Sequence, residues 1–207
     1  MITVYITSYV LKEIKKKHKQ EHEAGLQLLC HGLEEIYGIS LNMEELQAEI
    51  ELGEHGKPYL KRWKGIHFNI SHCDGLVVCA FSDVPIGVDI EQTHDFKESL
   101  PKRVLTELEQ NFLFQYKEEQ EFYQELFFRF WTLKESYIKW DGSGFYKEPT
   151  DISFELDLNQ NPIGISSSKK QLAFYQEKIM DTYFLAICSA QMSEYKKIKK
   201  VYIKEEK

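Results

Sequence analysis

The stretch Phe127 to Gly144 reads Phe-Phe-Arg-Phe-Trp-Thr-Leu-Lys-Glu-Ser-Tyr-Ile-Lys-Trp-Asp-Gly-Ser-Gly. Its charged residues Lys134, Glu135 and Lys139 stand amid aromatic surface. Glu135 and Lys139 are four apart, so a helix puts them on one face, with Trp131 one turn earlier. Two chemistries fit: an ion pair at the rim of a core helix, or a carboxylate for a metal ion beside an ammonium for a phosphate. A second acidic site lies upstream in Ile86-Gly87-Val88-Asp89-Ile90-Glu91. On a strand, Ile86, Val88 and Ile90 face the core, while Asp89 and Glu91 share the other face with α-carbons ~6.6 Å apart. Two such carboxylates repel unless a cation lies between them. Oxygen-only ligands suit a hard ion such as magnesium, which also takes phosphate oxygens. The alternative is an acidic edge facing solvent. Ser71-His72 closes a strand before a turn, where hydroxyl, imidazole and turn amides can bind a phosphate. The alternative there is a turn serine and a surface histidine. A nucleophilic Ser-His pair is disfavoured, since neighbours on a strand face opposite ways. Lys57 sits in a Gly56-Lys57-Pro58 loop that lacks the upstream glycine and the following Ser/Thr of a Walker-type phosphate loop.

These residues need elements to hold them. Phe127, Phe130, Trp131, Leu133, Tyr137 and Ile138 recur at helical spacing, and Gly142 and Gly144 stop the pattern. The helix is expected over about Glu119 to Lys139, preceded by one over about Thr106 to Tyr116. Strands are expected at Ile2 to Tyr9, Ile66 to Ser71, Leu76 to Phe81 and Ile86 to Glu91. Three more follow at Ile152 to Leu158, Gln171 to Glu177 and Thr182 to Ala190. Glu13 to Tyr37 reads as one helix or two helical pieces ending at Gly38. Leu41 to Leu52 reads as a short helix or an irregular segment, Gly53 to Pro58 as a loop, and Thr93 to Leu100 as a crossover. Tyr195 to Lys207 is charged around Val201-Tyr202-Ile203 and is expected to fray. A leading helical part followed by a similar strand (Leu76 to Phe81, and Phe184 to Cys188) occurs in each half.

The chain has 207 residues, 43% hydrophobic and 29% charged, with a net charge of −7. That is ordinary for a globular chain with a real core, and an acidic balance opposes general nucleic-acid binding. Cys30, Cys73, Cys79 and Cys188 form no Cys-x-x-Cys pair, which fits a reducing compartment. No signal peptide is read at the N-terminus, and the longest uncharged apolar run, Leu76 to Phe81, is too short to cross a bilayer. The expectation is a soluble, cytoplasmic protein.

Gly56-Lys57-Pro58, Phe68-Asn69-Ile70-Ser71-His72, Ile86-Gly87-Val88-Asp89-Ile90-Glu91 and Phe130-Trp131-Thr132-Leu133-Lys134-Glu135-Ser136-Tyr137-Ile138-Lys139 also occur together and in order. With them the chain resembles the 4′-phosphopantetheinyl transferases of the larger, surfactin-synthetase-activating type. The likeness spans Gly56 to Gly144, and its last two motifs are the most specific. It implies an α/β (α+β) fold of two pseudo-symmetric halves, each a small antiparallel sheet packed with helices, and an active site in the cleft between them. Residues 1–92 would carry the coenzyme A loop and the first metal carboxylates, and residues 93–207 the catalytic helix. The implied reaction moves the phosphopantetheine arm of coenzyme A to a serine of an apo acyl, peptidyl or polyketide carrier protein. It leaves adenosine 3′,5′-bisphosphate. Carried over by position, Asp89, Glu91 and Glu135 would hold magnesium, and Lys139 would contact the phosphates of coenzyme A. Ser71 and His72 would contact its 3′-phosphate, and Lys57 and Pro58 its adenine end. Glu135 would serve as the catalytic base, directly or through a water, and Glu109 aligns with another acidic position of the family. The family often has a coenzyme-binding arginine in its first long helix. Around Gly25-Leu26-Gln27-Leu28-Leu29 this chain has none, which shifts that role to His72 and Lys15 to Lys17. A monomer is expected, with no nucleic-acid or membrane partner. Lys102 and Arg103, beside Phe112, Leu113, Phe114 and Tyr116, are the expected carrier-docking surface. A coenzyme A or carrier-binding module without catalysis, and a magnesium-dependent phosphohydrolase, are the alternatives.

Overall fold

A computed structural model describes residues 1–10, 14–190 and 199–203. Glu13 and most of the charged C-terminal stretch lie outside the described residues. The elements in order are β1 (Thr3–Ser8), α1 (Lys17–Tyr37), α2 (Met43–Glu49), β2 (Ile50–Leu52), β3 (Pro58–Leu60), β4 (His67–Cys73), β5 (Leu76–Ser82) and β6 (Ile86–Gln92). After these come α3 (Leu100–Val104), α4 (Glu107–Phe114), α5 (Gln120–Asp141), β7 (Phe154–Asp157), β8 (Gly164–Ser167), β9 (Ala173–Ile179), β10 (Tyr183–Ser189) and β11 (Lys199–Ile203).

Two sheets and two long helices form four layers. The first sheet runs β11-β1-β5-β4, antiparallel except that β11 lies parallel to β1; the second runs β6-β10-β9, all antiparallel. The alternation of side chains decides the layering. Ile2, Val4, Ile6, Val78 and Ala80 of the first sheet meet Ile86, Val88, Ile90, Leu185 and Ile187 of the second. The opposite face of the first sheet (Tyr5, Val77, Cys79, Phe81) takes Leu26, Leu29 and Leu33 of α1. The opposite face of the second (Phe184, Ala186, Cys188) takes Phe127, Phe130 and Leu133 of α5. β5 and β10 are buried on both faces, which is why both read as unbroken apolar runs. Each side chain of β6 is therefore assigned by parity: odd positions Asp89 and Glu91 look toward α5, not toward solvent.

The helix ends follow from local chemistry. Asn42 and Thr106 each form a reciprocal capping box, with Glu45 and Glu109 respectively. α1 stops at Gly38 and α5 at Gly142, both left-handed. The mixed α/β class with small, mainly antiparallel sheets is as the sequence implies.

Several details differ. Leu41 to Leu52 divides into α2 and β2, and across the expected loop β2 pairs with β3, a strand that was not expected. β7 pairs with β8, which was not foreseen, and the Thr93 to Leu100 crossover runs into α3. Strands of three or four residues are too short to display a period. β4 also runs two residues further than expected. The Cys73–Leu76 pairing closes the hairpin over Asp74 and Gly75, so His72 lies inside the strand rather than at its end. The pairing also crosses residue 92: β6 joins β10, and β11 joins β1.

Candidate active site

β4 and β6 are edge strands of different sheets, and two side chains of β4 join them. Asn69 Oδ1 accepts a hydrogen bond from the Val88 amide at 2.8 Å, and Ser71 Oγ accepts one from the Ile90 amide at 3.3 Å. Both amides lie on the β6 edge that no strand covers. With its backbone held, β6 presents Asp89 to α5. Ser71 Oγ donates to Asp89 Oδ1 at 2.9 Å, and Lys139 Nζ donates to Ser71 Oγ and to Asp89 Oδ1, each at 2.7 Å. Asp89 is only 3% exposed, and its other oxygen, Oδ2, has no hydrogen-bond partner.

α5 comes this close because of Gly87. A β-carbon there would stand 2.0 Å from the Ser136 carbonyl oxygen and 2.3 Å from the Trp140 amide nitrogen. No side chain fits that gap. The same crossing is tied by Lys57, whose ammonium donates to the Ile86 carbonyl at 3.0 Å and to the Trp140 carbonyl at 2.8 Å. Burial pushes the Lys57 ammonium down to about 8.

Glu91 and Glu135 complete the cluster. Burial, then the charge of Asp89, pushes the Glu91 carboxyl up to about 8, against Lys139 and a hydrogen bond from the Trp131 side chain. Burial and Asp89 also raise Glu135, again against Lys139. Among the described residues no three His, Cys, Asp or Glu side chains are drawn together as a ready-made metal cage. The donor set nonetheless fits a hard divalent cation. It is all oxygen, it holds one buried carboxylate oxygen without a donor, and two of its carboxyls are forced up by burial and then by the charge of Asp89.

A cavity of about 740 Å³ opens against this cluster, lined by Glu135, Lys139, Trp131, Ile138, Lys57 and Asn69, and also by Arg103 and Val104. The structure thus brings Asp89, Glu91, Glu135, Lys139 and Ser71 together, with Lys57 and Pro58 on the cavity wall. His72 points to the other side of β4, toward α1, with Nδ1 3.3 Å from Glu21 Oε2. Glu109 does not line this cavity. One of its oxygens accepts from the Thr106 amide (2.7 Å) and Oγ1 (2.9 Å), the other from the Phe154 amide (2.8 Å), and Lys134 Nζ sits 2.8 Å away. Lys134, fully buried, also donates to the Pro149 and Ile152 carbonyls. Sequence reasoning assigned nothing to Asn69, Trp131 or Glu21. Asn69 had a usable signal: with His67 and Ser71 it falls on one face of the strand, opposite the apolar Phe68 and Ile70.

A family profile described as the 4′-phosphopantetheinyl transferase superfamily matches residues 85–188, which include β6, α5 and β10. The chain belongs to the 4′-phosphopantetheinyl transferase superfamily. Among similar proteins, the 4′-phosphopantetheinyl transferase gsp of Aneurinibacillus migulanus is 34% identical over 149 residues, 72% of this chain and 61% of that protein. The 4′-phosphopantetheinyl transferase Sfp of Bacillus subtilis (strain 168) is 36% identical over 141 residues, 66% of this chain and 61% of its own. The 4′-phosphopantetheinyl transferase HetI of Nostoc sp. is 36% identical over 138 residues, 63% of this chain and 55% of its own. The matched region thus spans about three fifths of these phosphopantetheinyl transferases. No described helix is long and apolar enough to cross a membrane.

Proposed function

We propose that the chain transfers the 4′-phosphopantetheine arm of coenzyme A to a serine hydroxyl of an apo carrier protein. The observation that carries this reading is the meeting of Asp89, Glu91 and Glu135 with the Lys139 ammonium beside the cavity, in a chain of this family. Asp89, Glu91 and Glu135 would hold magnesium, which when bound draws negative charge off the pyrophosphate. Lys139 adds a fixed positive charge where the leaving phosphate gains charge, and Ser71 holds both Lys139 and Asp89 in place. Glu135, with its proton affinity raised, takes the serine proton directly or through a water. The serine oxygen–phosphorus bond forms as the bridging pyrophosphate oxygen–phosphorus bond breaks, and the nucleotide leaves with the electron pair. Lys57 and Pro58 on the cavity wall, and His72 behind β4, border the coenzyme's nucleotide portion.

Intact mass spectrometry tests the reading. Purified apo acyl, peptidyl and polyketide carriers are incubated with the protein, coenzyme A and magnesium. The expected result is a phosphopantetheine-sized gain on at least one carrier, stopped by a chelator and restored by magnesium. No gain on any carrier, with coenzyme A still bound calorimetrically, would instead support a binding module.

A further inference from the structure

β4 and β6 share no backbone ladder, and side chains hold their seam at a regular interval instead. Lys57 takes the carbonyl of Ile86, Asn69 the amide of Val88 and Ser71 the amide of Ile90. These stations fall two residues apart on β6, ~6.6 Å each. Lys139 joins at the third station, through Ser71 and Asp89. Asn69 therefore stands between the Lys57 end of the seam and the Lys139 end, and it lines the cavity with both.

The bond to Val88 decides which way the Asn69 carboxamide faces. A peptide N–H can only donate, so the atom that meets it at 2.8 Å is the carbonyl oxygen. The amide nitrogen is left with its N–H donors. Among the described residues it has no acceptor, yet it is not one of the sealed polar atoms, so it opens onto the cavity. The ammonium groups on either side have N–H bonds to spare. Lys57 donates to the Ile86 and Trp140 carbonyls, Lys139 to Ser71 and Asp89, and an ammonium has a third donor. The seam thus offers donors in a row, and the central one cannot turn to suit a ligand that donates. Its complement is a group made of acceptors and carrying negative charge, which describes a phosphate better than a ribose hydroxyl.

Resting on the transferase reading above, we propose that Asn69 is a further catalytic residue, its Nδ2 donating to a non-bridging oxygen of the nucleotide-side phosphate of coenzyme A. That phosphate takes the electron pair when its bridging oxygen parts from the transferred phosphorus. Its oxygens gain charge at that moment, and a donor already in place strengthens its bond without reorganising. Asn69 gives up no proton.

The test sets two nucleotides against three proteins. Adenosine 3′,5′-bisphosphate has the departing phosphate, and adenosine 3′-monophosphate lacks it. Asn69→Asp keeps an oxygen for the Val88 amide and removes the donor. Asn69→Ser removes the donor without adding a charge, and leaves room for a water at Val88. Calorimetric Kd values with magnesium are expected to show the wild type favouring the bisphosphate. Both variants should narrow that preference, on the order of tenfold for Asn69→Ser and more for Asn69→Asp, with the monophosphate held within about twofold. With coenzyme A and an apo carrier, kcat for Asn69→Ser should fall on the order of a hundredfold with KM little changed. Equal weakening of both nucleotides, or no change in either, makes Asn69 a strand tie only and overturns the assignment. Narrowing in Asn69→Asp alone is charge repulsion and overturns it too. If the wild type modifies no carrier while the Kd pattern holds, the transferase reading fails and the phosphate contact stands. If the wild type binds the two nucleotides equally, the contact falls, and carrier modification still decides the transferase reading.

Discussion

At the scale of single residues, the proposed chemistry rests on carboxylates that would rather not be charged together. Asp89→Asn or Glu135→Ala is expected to lower carrier modification by a thousandfold or more, on the order of 4 kcal/mol of lost charge stabilisation. Circular dichroism should stay native, since each change relieves repulsion. Near-normal turnover in either variant would remove that residue from the proposed cation site. Glu91 makes a pH-dependent claim. Its carboxyl is raised in the fold from an ordinary value near 4.5 to about 8, so the folded state binds more protons than the unfolded one. Stability from this group is full at low pH and declines as pH rises from about 4.5 to about 8. A cation that displaces the proton cancels the decline. Magnesium should therefore raise Tm more at about pH 8.5 than at about pH 6, with proton release on binding, and Glu91→Gln should flatten both trends. Scanning calorimetry at the two pH values, with and without chelator, checks this.

Between elements, the site depends on two crossings: β4 against β6 through Asn69 and Ser71, and β6 against α5 through Gly87 and Lys57. Gly87→Ala is expected to destabilise by at least about 3 kcal/mol, because its methyl meets backbone on both sides and no rotamer change can help. Urea melts would show a lower midpoint at unchanged slope; a loss under about 1 kcal/mol would mean the crossing can slide. The Glu109–Lys134 pair binds α4, α5 and the approach to β7 in one place. Glu109→Leu leaves a buried ammonium uncompensated and should cost about 3–5 kcal/mol, and adding Lys134→Met should recover more than half of it. Much of this was legible from residue order. The odd–even alternation of β6 and the spacing of Glu135 and Lys139 are local properties, and they put each carboxylate on its face before any partner is known. What was not legible is what those faces meet. Nothing in Glu109's neighbourhood names Lys134, and nothing in Trp131's names Glu91. Glu21 reads as one more acid on a charged helix until packing buries it beneath His72. The Pro58–Leu60 strand was hidden for a different reason, since three residues cannot show an alternation.

For the molecule as a whole, a net charge of −7 gives no long-range attraction to any carrier that is itself acidic, and the proposed docking on such a carrier has to be local. α3 places Lys102 on the surface and Arg103 at the cavity wall, and the following helix α4 carries the exposed Leu108 and Phe114. Phe112, by contrast, is spent inside, against Phe130 and Tyr116. Lys102→Glu, with Arg103 on the cavity wall kept, is expected to raise KM for the carrier several-fold and leave KM for the coenzyme nearly unchanged. Steady-state kinetics in each substrate decide it, and equal effects on both constants would place docking elsewhere. The pairing of β6 with β10 has a consequence during synthesis. Some ninety residues separate the two strands, which at ribosomal speeds is roughly 5–20 s of elongation. Throughout that interval the Asp89 strand exists without its hydrogen-bonded neighbour, an open edge of the kind that recruits other chains. The nascent protein has every residue that lines its cavity by Pro149, but the strand that pairs with β6 only from Tyr183 onward. A ribosome stalled before Tyr183 therefore displays a strand edge fit for aggregation, and the two carboxylates on it are the charges that oppose stacking in the meantime.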